Sequence, residues 1–336
     1  MDPPSVEDRP IWDLWLSQYR LPVVLAADQL GLFEFLRDRP ATIDEICQNL
    51  KLLRRSADAL TAALSSTGFL VQHGEQFQLT PLTRTYLLSD SEFYWVPMLG
   101  AAGFGQLTTE VLLNNLRTEN LGDDDRVTRR WERGEMTAED AAGSNQRMHS
   151  HSFPSALGLA RSHDFSETRR LLDVAGGSGG YAIALALEHP HLHCTVADLP
   201  AVANDAHTYI QRYACADRVD TLSFNMFDDV WPTSYDAVLM TNVLHDWDPK
   251  RRADLVASSF EALPPGGKLF IHEILLNDAQ DGPIAAAMFS TMMLGTRGKQ
   301  LSFAELQELL TDKGFARVEV QPTYGYYSLV IGSKAR

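Results

Sequence analysis

The chain has 336 residues, of which 45% are hydrophobic, so it is long enough to bury a full core and to form two domains. Its formal net charge of −15 argues against nucleic acid or an anionic membrane surface as a partner. Three cysteines without a Cys-x-x-Cys pair, and an acidic start "MDPPSVEDRP" that lacks the basic and apolar blocks of a signal peptide, predict a cytoplasmic protein without a membrane segment.

Residues 1–95 are predicted to form a helical domain that ends in a winged-helix unit. The stretch "LPVVLAADQLGLFEFL" carries apolar residues at three- and four-residue spacing, which is typical of an amphipathic helix. Thr42 is placed to cap a helix that ends near Leu50, and Ser56 to cap a second helix that stops at Gly68. The stretch "FLVQHGEQFQLTP" then predicts a strand, a His-Gly turn and a second strand.

Winged helices often bind DNA through the second helix of the pair, so a DNA-binding regulator is one candidate function. Here that helix starts with Lys51, Arg54 and Arg55 but becomes apolar through "ADALTAALSSTGFL", a composition that suits burial better than a DNA groove. Packing against another protein surface is therefore the preferred interpretation of this domain.

Residues 96–165 are predicted to link the domains through helices and to contribute to a substrate pocket. The charged stretch "RTENLGDDDRVTRRWERGEMTAED" is typical of a solvated face or loop. Trp131 is the exception, because a large aromatic side chain among charges either packs on the neighbouring domain or lines a substrate cleft, and both interpretations stay open. His149 and His151 lie two residues apart in a helical pattern, where their side chains diverge, so no metal site is predicted.

Residues 166–336 alternate between strand and helix patterns. The stretches "RLLDVA", "LHCTVAD", "VDTLSF", "YDAVLMT" and "KLFIHEILL" predict parallel strands that are buried on both faces. The stretches "ARVEV" and "YYSLVIGSK", around a Pro-Thr-Tyr-Gly turn, predict an antiparallel hairpin added to that sheet. The predicted fold class is therefore α/β, with a Rossmann-like sheet and a terminal antiparallel hairpin, preceded by an all-helical, winged-helix domain.

A glycine-rich turn follows the first of these strands and predicts a nucleotide site. Gly177-Ser-Gly179-Gly-Tyr-Ala182 matches the G-x-G-x-x-G/A pattern, and Asp198, about twenty residues on, can bind a ribose hydroxyl, so an NAD-dependent oxidoreductase is one candidate. However, the Asp173 carboxylate beside the turn would repel a pyrophosphate and attract an ammonium or sulfonium group. S-adenosylmethionine carries both cations and is the predicted cofactor.

Further residues at strand ends complete the predicted cofactor site. Ligands of open α/β sheets bind at the carboxyl ends of the strands, where four polar residues fall: Asp173, Asp198, Asn225 and Thr241. Met226 and Phe227, after the third strand, can supply apolar walls for adenine. One site can therefore hold all of these residues around one ligand.

The stretch "VLHDWDP" at the end of the fourth strand predicts a general base. Asp248 followed by Pro249 is the pattern of a helix N-cap with proline at the first helical position. His245 precedes this cap at the ligand edge of the sheet, and its imidazole titrates near neutrality, so it can take a proton from a hydroxyl that attacks a methyl group. Glu273, at the end of the next strand, can hold the imidazole in one tautomer and stabilise its charged form.

The order of these motifs resembles a known family over nearly the whole chain. A winged-helix unit followed by "LLDVAGGSGG", "ADLPAV", "NMF", "VLHDW", "PPGGKLFIHE" and a terminal hairpin is similar to the S-adenosylmethionine-dependent O-methyltransferases of the plant caffeate and acetylserotonin type and their bacterial relatives. The resemblance implies a homodimer that forms through the N-terminal domain and helps to close the partner's active site. It also implies a catalytic His245 flanked by Glu273. The cofactor residues that it implies are Asp173, Gly176, Gly177, Asp198, Leu199 and Met226.

The chain departs from this family pattern at three positions. Gln300, in "RGKQLS", stands where the plant enzymes have a second flanking glutamate, and an amide can orient a ring nitrogen but cannot stabilise its positive charge as a carboxylate does. Asn225 stands where the family usually has an acid, and Thr241 where it often has a cationic residue. We therefore expect either a weaker histidine base or an acceptor that is more acidic or more nucleophilic.

The acceptor pocket is implied in part by the same resemblance. Met148 and His151, in "NQRMHSHSF", would contact the acceptor. Phe289, Met292 and Met293 are looser candidates, because aromatic and methionine side chains suit a flat ring. For most residues of the stretch "AAAMFSTMML", which contains these three, a plain core helix is the preferred interpretation.

The predicted reaction is methylation of a hydroxyl group on a small aromatic or related secondary metabolite, with His245 as the base and Glu273 and Gln300 behind it. Transfer to carbon, nitrogen or sulfur is the alternative, since these acceptors need less base catalysis. The predicted partners are S-adenosylmethionine, a small-molecule acceptor and a second copy of the chain, without nucleic acid, membrane or metal.

Overall fold

The computed structural model describes residues 4–100, 108–118 and 129–336. Backbone contacts divide the chain into two compact units, Met1–Ala101 and Ala102–Arg336. The stretch predicted as a charged loop falls partly outside the described residues. The division of the chain after residues 95 and 165 remains a prediction.

The first unit contains the predicted pair of helices followed by a hairpin. Its helices are α1 (Arg9–Ser17), α2 (Arg20–Gln29), α3 (Leu32–Phe35), α4 (Ile43–Leu50), α5 (Arg54–Ser66), α6 (Pro81–Tyr86) and α7 (Val96–Leu99). Its strands are β1 (Ala41–Thr42), β2 (Leu70–His73) and β3 (Gln76–Leu79), which form an antiparallel sheet in the order β1-β3-β2. Helices α4 and α5 with the β2–β3 hairpin therefore form the winged-helix unit.

Two helices of this unit begin in different ways. Thr42 caps α4 as predicted, because its hydroxyl accepts a hydrogen bond from the Glu45 N–H at 3.3 Å while the Glu45 carboxylate accepts one from the Thr42 N–H at 2.8 Å. The prediction for Ser56 is wrong, since α5 already begins at Arg54, with Leu53 at its N-cap and no side-chain bond there. Leu53 has an extended backbone at the N-cap, so the helix begins at Arg54, before Ser56.

The first unit has an apolar core of its own. Fully buried side chains from α3, α4 and α5 meet in it, among them Leu32, Phe33, Ile46 and Leu64. In contrast, no residue of α1 is buried. The apolar face of α1 is therefore not covered by the core of its own unit.

The second unit carries the alternating pattern of strands and helices. Its helices are α8 (Thr109–Arg117), α9 (129–132), α10 (Ala138–Ser162), α11 (Gly180–Glu188), α12 (Pro200–Arg212), α13 (Pro249–Ala262), α14 (Ile284–Met292) and α15 (Phe303–Asp312). Its strands are β4 (Arg170–Val174), β5 (His193–Asp198), β6 (Val219–Ser223), β7 (Ala237–Thr241), β8 (Lys268–Ile274), β9 (Arg317–Pro322) and β10 (Tyr327–Ser333).

These strands form one sheet in the order β6-β5-β4-β7-β8-β10-β9. Strands β4 to β8 are parallel, and β10 pairs antiparallel with both β8 and β9, so the predicted fold class is confirmed. The chain runs from β4 outward to β5 and β6, and then returns to the other side of β4 with β7. This reversal opens a crevice at the carboxyl end of β4, where open α/β sheets bind ligands.

The apolar runs of the central strands follow from burial on both faces of the sheet. Side chains of β4, β7 and β8 such as Leu172, Val174, Met240 and Ile271 are buried in one cluster with residues of α13 and α15. Among the described helices, none is both long and apolar enough to cross a membrane.

Candidate active site

A strained loop connects β4 to α11 and forms the floor of the crevice. Ala175, Gly177 and Gly179 have positive φ angles of 54°, 59° and 74°, a region that favours glycine. Gly176 is required for a different reason, since a Cβ atom there would lie 2.7 Å from Asp173 Oδ2. The glycines therefore let the backbone turn sharply over a buried carboxyl group.

Asp173 is this buried carboxyl group. It is fully buried in β4, and neither of its carboxylate oxygens has a hydrogen-bond partner of normal geometry among the described residues, although the Ala182 N–H acts to lower its pKa. Burial, with a further contribution from the nearby Asp198, raises the pKa of Asp173 to about 8. A bound cation would lower this pKa and favour the carboxylate, so the site suits a positively charged group.

Asp198, the last residue of β5, is held from two sides. Its Oδ2 accepts a hydrogen bond from the Gly177 N–H at 2.9 Å, and its Oδ1 accepts one from the Leu199 N–H at 2.7 Å. Burial raises the pKa of Asp198 to about 6. Each oxygen keeps a second lone pair, so the fixed carboxylate can still accept a hydrogen bond from a ligand hydroxyl.

The stretch after β6 provides the apolar side of the crevice. Met226 and Phe227 are half-buried and pack on the core, and the Phe227 ring lies edge-on to Trp247 with centroids 4.7 Å apart. The Arg251 guanidinium lies 4.5 Å from the centroid of the Phe227 ring. Trp131 packs on the same core cluster.

Asn225 is engaged in local structure at this edge. Its amide donates to the Glu132 carbonyl at 2.9 Å and to the Asp228 carboxylate at 3.0 Å, while its Oδ1 accepts from the Phe227 N–H. The Glu132 carboxylate in turn accepts from Arg251 Nε at 2.9 Å. Asn225 therefore ties the segment around Glu132 to the end of β6, a connection that sequence reasoning missed.

The chain leaves β7 at the half-buried Thr241 and enters a 3₁₀ turn, Leu244–Asp246, that presents His245. Asp248 then caps α13 as predicted, since its Oδ1 accepts from the Arg251 N–H at 2.9 Å. His245 is 3% exposed. The turn is thus fixed by a strand before it and a capped helix after it.

Two predicted partners flank one nitrogen of the His245 ring. Nδ1 lies 3.7 Å from Glu273 Oε2 and 3.4 Å from Gln300 Nε2. Glu273 Oε1 accepts from the Leu244 N–H at 2.9 Å, which orients the carboxylate toward the ring. The structure therefore brings His245, Glu273 and Gln300 together as the sequence predicted.

A third partner, Asp246, was missed by sequence reasoning. Its Oδ1 lies 3.6 Å from His245 Nε2, on the opposite side of the ring from Glu273. Burial lowers the pKa of His245, but the carboxylates of Asp246 and Glu273 outweigh it, so the pKa is raised above its usual value. Burial raises the pKa of Asp246 to about 6. The first acid in "HDWD", Asp246, was the available signal, since only Asp248 is needed as a cap.

The predicted acceptor residues lie on α10, on α14 and in the turn after it. The Phe289 ring meets the His245 ring with centroids 5.0 Å apart and planes at 64°. Burial lowers the pKa of His151 to about 4, so this ring is neutral near pH 7. Met148 and Met292 are half-buried, and Met293 is buried.

Helix α14 is not a plain core helix. Of its residues Ala286 alone is buried, and Met288 is exposed. The core-helix interpretation, which was preferred for most residues of this stretch, is therefore wrong for α14. Phe289 on α14 is the predicted acceptor residue that the structure brings into contact with His245.

Comparison with known protein families identifies the family to which this chain belongs. A model of the O-methyltransferase domain matches residues 126–316, and a model of the O-methyltransferase dimerisation domain matches residues 12–89. The chain belongs to the O-methyltransferase family. This O-methyltransferase family member is an S-adenosylmethionine-dependent methyltransferase that carries the family's dimerisation domain.

Individual relatives cover almost the whole methyltransferase chain. A 3-hydroxy-5-methyl-1-naphthoate 3-O-methyltransferase of Streptomyces sahachiroi is 33% identical over 96% of this chain and 94% of its own. An L-tyrosine C(3)-methyltransferase of Streptomyces lavendulae is 31% identical over 86% and 82%. The crystal structure of human N-acetylserotonin methyltransferase in complex with SAM matches with a TM-score of 0.82 at 21% identity, over 99% of this chain and 100% of that one.

The residues of the methyltransferase crevice fit the cofactor of the family. Asp173 is a buried carboxyl group whose oxygens have no hydrogen-bond partner of normal geometry within the described chain, and S-adenosylmethionine carries an ammonium and a sulfonium group. The absence of a side chain at Gly176 lets the loop lie directly over Asp173. Asp198 would accept from the ribose, and Met226 and Phe227 would contact adenine.

Gly298 is a further site residue that sequence reasoning missed. A Cβ atom at Gly298 would lie 1.7 Å from the His245 carbonyl oxygen, so only glycine lets this segment approach the turn. The same segment carries Gln300, whose amide lies beside the His245 ring. Gly298 therefore permits the close packing of the segment that carries Gln300 against the turn that carries His245.

We expect Gly298→Ala to lower turnover by about 10- to 100-fold, because displacement of a catalytic group by about 1 Å has effects of this size. The dissociation constant of S-adenosylhomocysteine should stay within about twofold of the native value, since the glycine loop is not touched. Formation of S-adenosylhomocysteine measures turnover, and calorimetry measures binding.

The matched control for this prediction is Gly143→Ala, in α10, where a Cβ atom would meet the end of the flexible Arg147 side chain at 3.2 Å. This variant should keep native turnover. Native turnover in Gly298→Ala would show that the close approach is not needed for catalysis.

Proposed function

We propose that this methyltransferase transfers a methyl group to a hydroxyl oxygen of a small aromatic acceptor, with His245 as the general base. The observation that carries the proposal is the surroundings of the buried imidazole. Nδ1 lies 3.7 Å from the Glu273 carboxylate, and Nε2 lies 3.6 Å from Asp246 on the other side of the ring. Nδ1, which also faces Gln300, is assigned the proton, and Nε2 is assigned to the acceptor.

The protein prepares the acceptor oxygen for attack. S-adenosylmethionine supplies an electrophilic methyl group when it is bound. A proton on Nδ1 of His245 directed at Glu273, with the Gln300 amide turned so that its oxygen faces Nδ1, leaves the lone pair of Nε2 to accept the proton of the acceptor hydroxyl. Glu273, oriented by the Leu244 N–H, then stabilises the imidazolium, and burial of the site strengthens this interaction.

The residues around the glycine loop hold the cofactor in this proposal. Asp173 faces its cationic groups, and Asp198 accepts hydrogen bonds from its ribose. Met226 and Phe227 enclose adenine. The same site is lined by Gly176, Gly177, Leu199, Asn225 and Thr241. The SAM complex of the human relative, on the same fold, supports this arrangement.

The acceptor surface favours a flat aromatic ring. Phe289 stands edge-on to His245 and offers a ring face or edge to the acceptor. His151 is neutral and can hydrogen-bond to the acceptor without attracting an anion. Further lining is assigned to Met148, Trp131, Met292 and Met293. The relative that methylates a hydroxynaphthoate supports an acceptor of this class.

Transfer to an aromatic carbon is the second candidate function. The relative named L-tyrosine C(3)-methyltransferase is 31% identical to this chain. Gln300 supplies an amide beside His245 where the family pattern has a second carboxylate, and weaker stabilisation of the imidazolium suits an acceptor that needs less base catalysis. An enzyme of this kind would methylate a phenol at carbon rather than at its oxygen.

We also propose that the chain forms a homodimer through its first unit. The exposed apolar residues of α1 include Trp12 and Trp15, which are 51% and 54% exposed and meet edge-to-face at 5.4 Å. Large apolar side chains that are exposed together on one helix are typical of a protein interface. The match to the family's dimerisation domain at residues 12–89 includes both tryptophans and supports a second copy as the partner.

We expect His245→Ala to lower turnover by about 10²- to 10⁴-fold, the usual contribution of a general base. Binding of S-adenosylhomocysteine should be unchanged, because His245 does not hold the glycine loop. Methyl transfer from labelled S-adenosylmethionine to a panel of hydroxynaphthoates and phenols measures turnover and, by product analysis, distinguishes oxygen from carbon as the accepting atom.

The control for His245 is His193→Ala, at the exposed start of β5, which should behave as the native enzyme. In the native enzyme, S-adenosylhomocysteine at a hundredfold its dissociation constant should add about 2.7 kcal/mol to the free energy of unfolding, whereas NADH and duplex DNA should add none. Native turnover in His245→Ala would remove His245 as the base.

The pH dependence tests the role of the residue behind the base. Neutral His245 is the active form and its pKa is raised, so turnover should increase with pH through a midpoint above the usual value of 6.5. Gln300→Glu adds a negative charge near Nδ1, which favours the imidazolium, so the midpoint should move to higher pH by roughly one unit. Gln211→Glu, at an exposed position of α12, is the control. An unchanged midpoint in Gln300→Glu would contradict this role.

Replacement of both exposed tryptophans, Trp12→Asp with Trp15→Asp, should convert the native dimer to a monomer, because buried carboxylates oppose association. Sedimentation velocity measures the mass of each species. Val230→Asp, at a position that is 95% exposed in the second unit, should remain dimeric. A native enzyme that sediments as a monomer would overturn the proposed dimer.

A further inference from the structure

Helix α10 places a buried histidine against the outer side of the glycine loop. His149 is 6% exposed, and its Nδ1 lies 2.9 Å from the Ser178 hydroxyl, within hydrogen-bond distance. Ser178 is itself buried and lies between Gly177 and Gly179. Ser178, which carries the side chain between Gly177 and Gly179, is therefore within hydrogen-bond distance of α10, a helix outside the sheet.

The ring of His149 is fixed by its surroundings. It stacks on Phe153 with centroids 4.8 Å apart and planes at 21°, and it lies 4.6 Å from the Tyr209 ring. Nε2 lies 3.3 Å from the Tyr213 hydroxyl. Aromatic contacts from α10 and α12 thus orient Nδ1 toward the loop.

The loop needs such a contact because its backbone is intrinsically permissive. Gly177 and Gly179 have φ angles of 59° and 74°, and glycine loses more conformational freedom on ordering than any other residue. On the sheet side, Asp198 holds the Gly177 N–H at 2.9 Å. The contact between His149 and Ser178 holds the loop from the opposite side.

A second α10 residue supports the same arrangement one turn earlier. Asn145 is buried, and its amide donates to Asp205 Oδ2 at 2.8 Å. A Cβ atom at Gly177 would lie 3.6 Å from Asn145 Oδ1, so this side chain borders the loop without crowding it. The helix therefore presents two fixed polar side chains to successive parts of the loop.

We infer that His149 is a positioning residue of the cofactor site, and that its hydrogen bond to Ser178 selects the loop conformation that binds S-adenosylmethionine. The inference rests on the proposed function, because it takes the glycine loop as the cofactor site. A loop that is ordered before binding loses less conformational entropy when the ligand binds, so the ligand binds more tightly. His149 acts through Ser178 and the loop.

Two substitutions at one position separate the hydrogen bond from the ring. His149→Phe keeps an aromatic ring between Phe153 and Tyr209 but removes the bond to Ser178, so the dissociation constant of S-adenosylhomocysteine should rise about 3- to 10-fold. His149→Asn loses the ring but puts an amide near the place of Nδ1, so affinity should return to within about twofold of native.

Ser178→Ala removes the same bond from the loop side. It should weaken binding as much as His149→Phe, and the double variant should be no weaker than either single variant, because both remove one shared interaction. Calorimetry with S-adenosylhomocysteine measures each dissociation constant, and thermal unfolding of the same samples measures stability. His191→Phe, which removes a bond to the Phe165 carbonyl at the amino end of β5, is the control and should bind as the native enzyme.

The outcomes separate this inference from the function on which it rests. No binding of S-adenosylhomocysteine to the native enzyme would overturn both. If the native enzyme binds S-adenosylhomocysteine, and His149→Phe and Ser178→Ala bind it with the same affinity as the native enzyme, the inference alone is overturned. Weak binding of S-adenosylhomocysteine in His149→Asn together with native affinity in Ser178→Ala would assign the loss of affinity to ring packing. That result would also overturn the inference.

Discussion

The gathering of carboxyl groups at one edge of the sheet is the constraint on which the rest of the site depends. Burial raises the pKa of Asp173 to about 8 and that of Asp198 and Asp246 to about 6, and Glu273 is fully buried close by. Buried acids without compensation are costly. His245 lies between the carboxyl groups of Asp246 and Glu273, and a cationic cofactor suits Asp173, so the buried carboxyl groups favour positively charged groups at this edge of the sheet.

Close approach of backbone segments makes this arrangement possible. The glycine loop passes over Asp173 because Gly176 has no side chain, and the segment of Gln300 reaches the turn of His245 because Gly298 has none. The loop is then held between Asp198 on the sheet and His149 on α10. In the proposed function, cofactor binding and proton transfer therefore depend on contacts between elements that are distant in the chain.

Much of the architecture was predictable because it depends on local patterns. Apolar runs predicted the parallel strands, and the capping patterns of Thr42 and Asp248 are confirmed, since a cap involves residues within one turn. Ser56 is not the cap, because the helix begins earlier, after Leu53, and no side chain forms a capping hydrogen bond there. The core-helix interpretation of α14 failed because composition alone does not tell which apolar surface a unit covers.

The sequence by itself determined the fold class and the cofactor class, and it pointed to His245 and Glu273 as the pair that we propose to be catalytic, because these follow from motifs at the ends of successive strands. Only the tertiary structure decided three contacts. Asp246 lies near Nε2 of His245, Gly298 lets the segment of Gln300 approach the His245 turn, and His149 lies within hydrogen-bond distance of Ser178. The physical reason is that these contacts join segments through distance and orientation in space. No spacing along the chain encodes them.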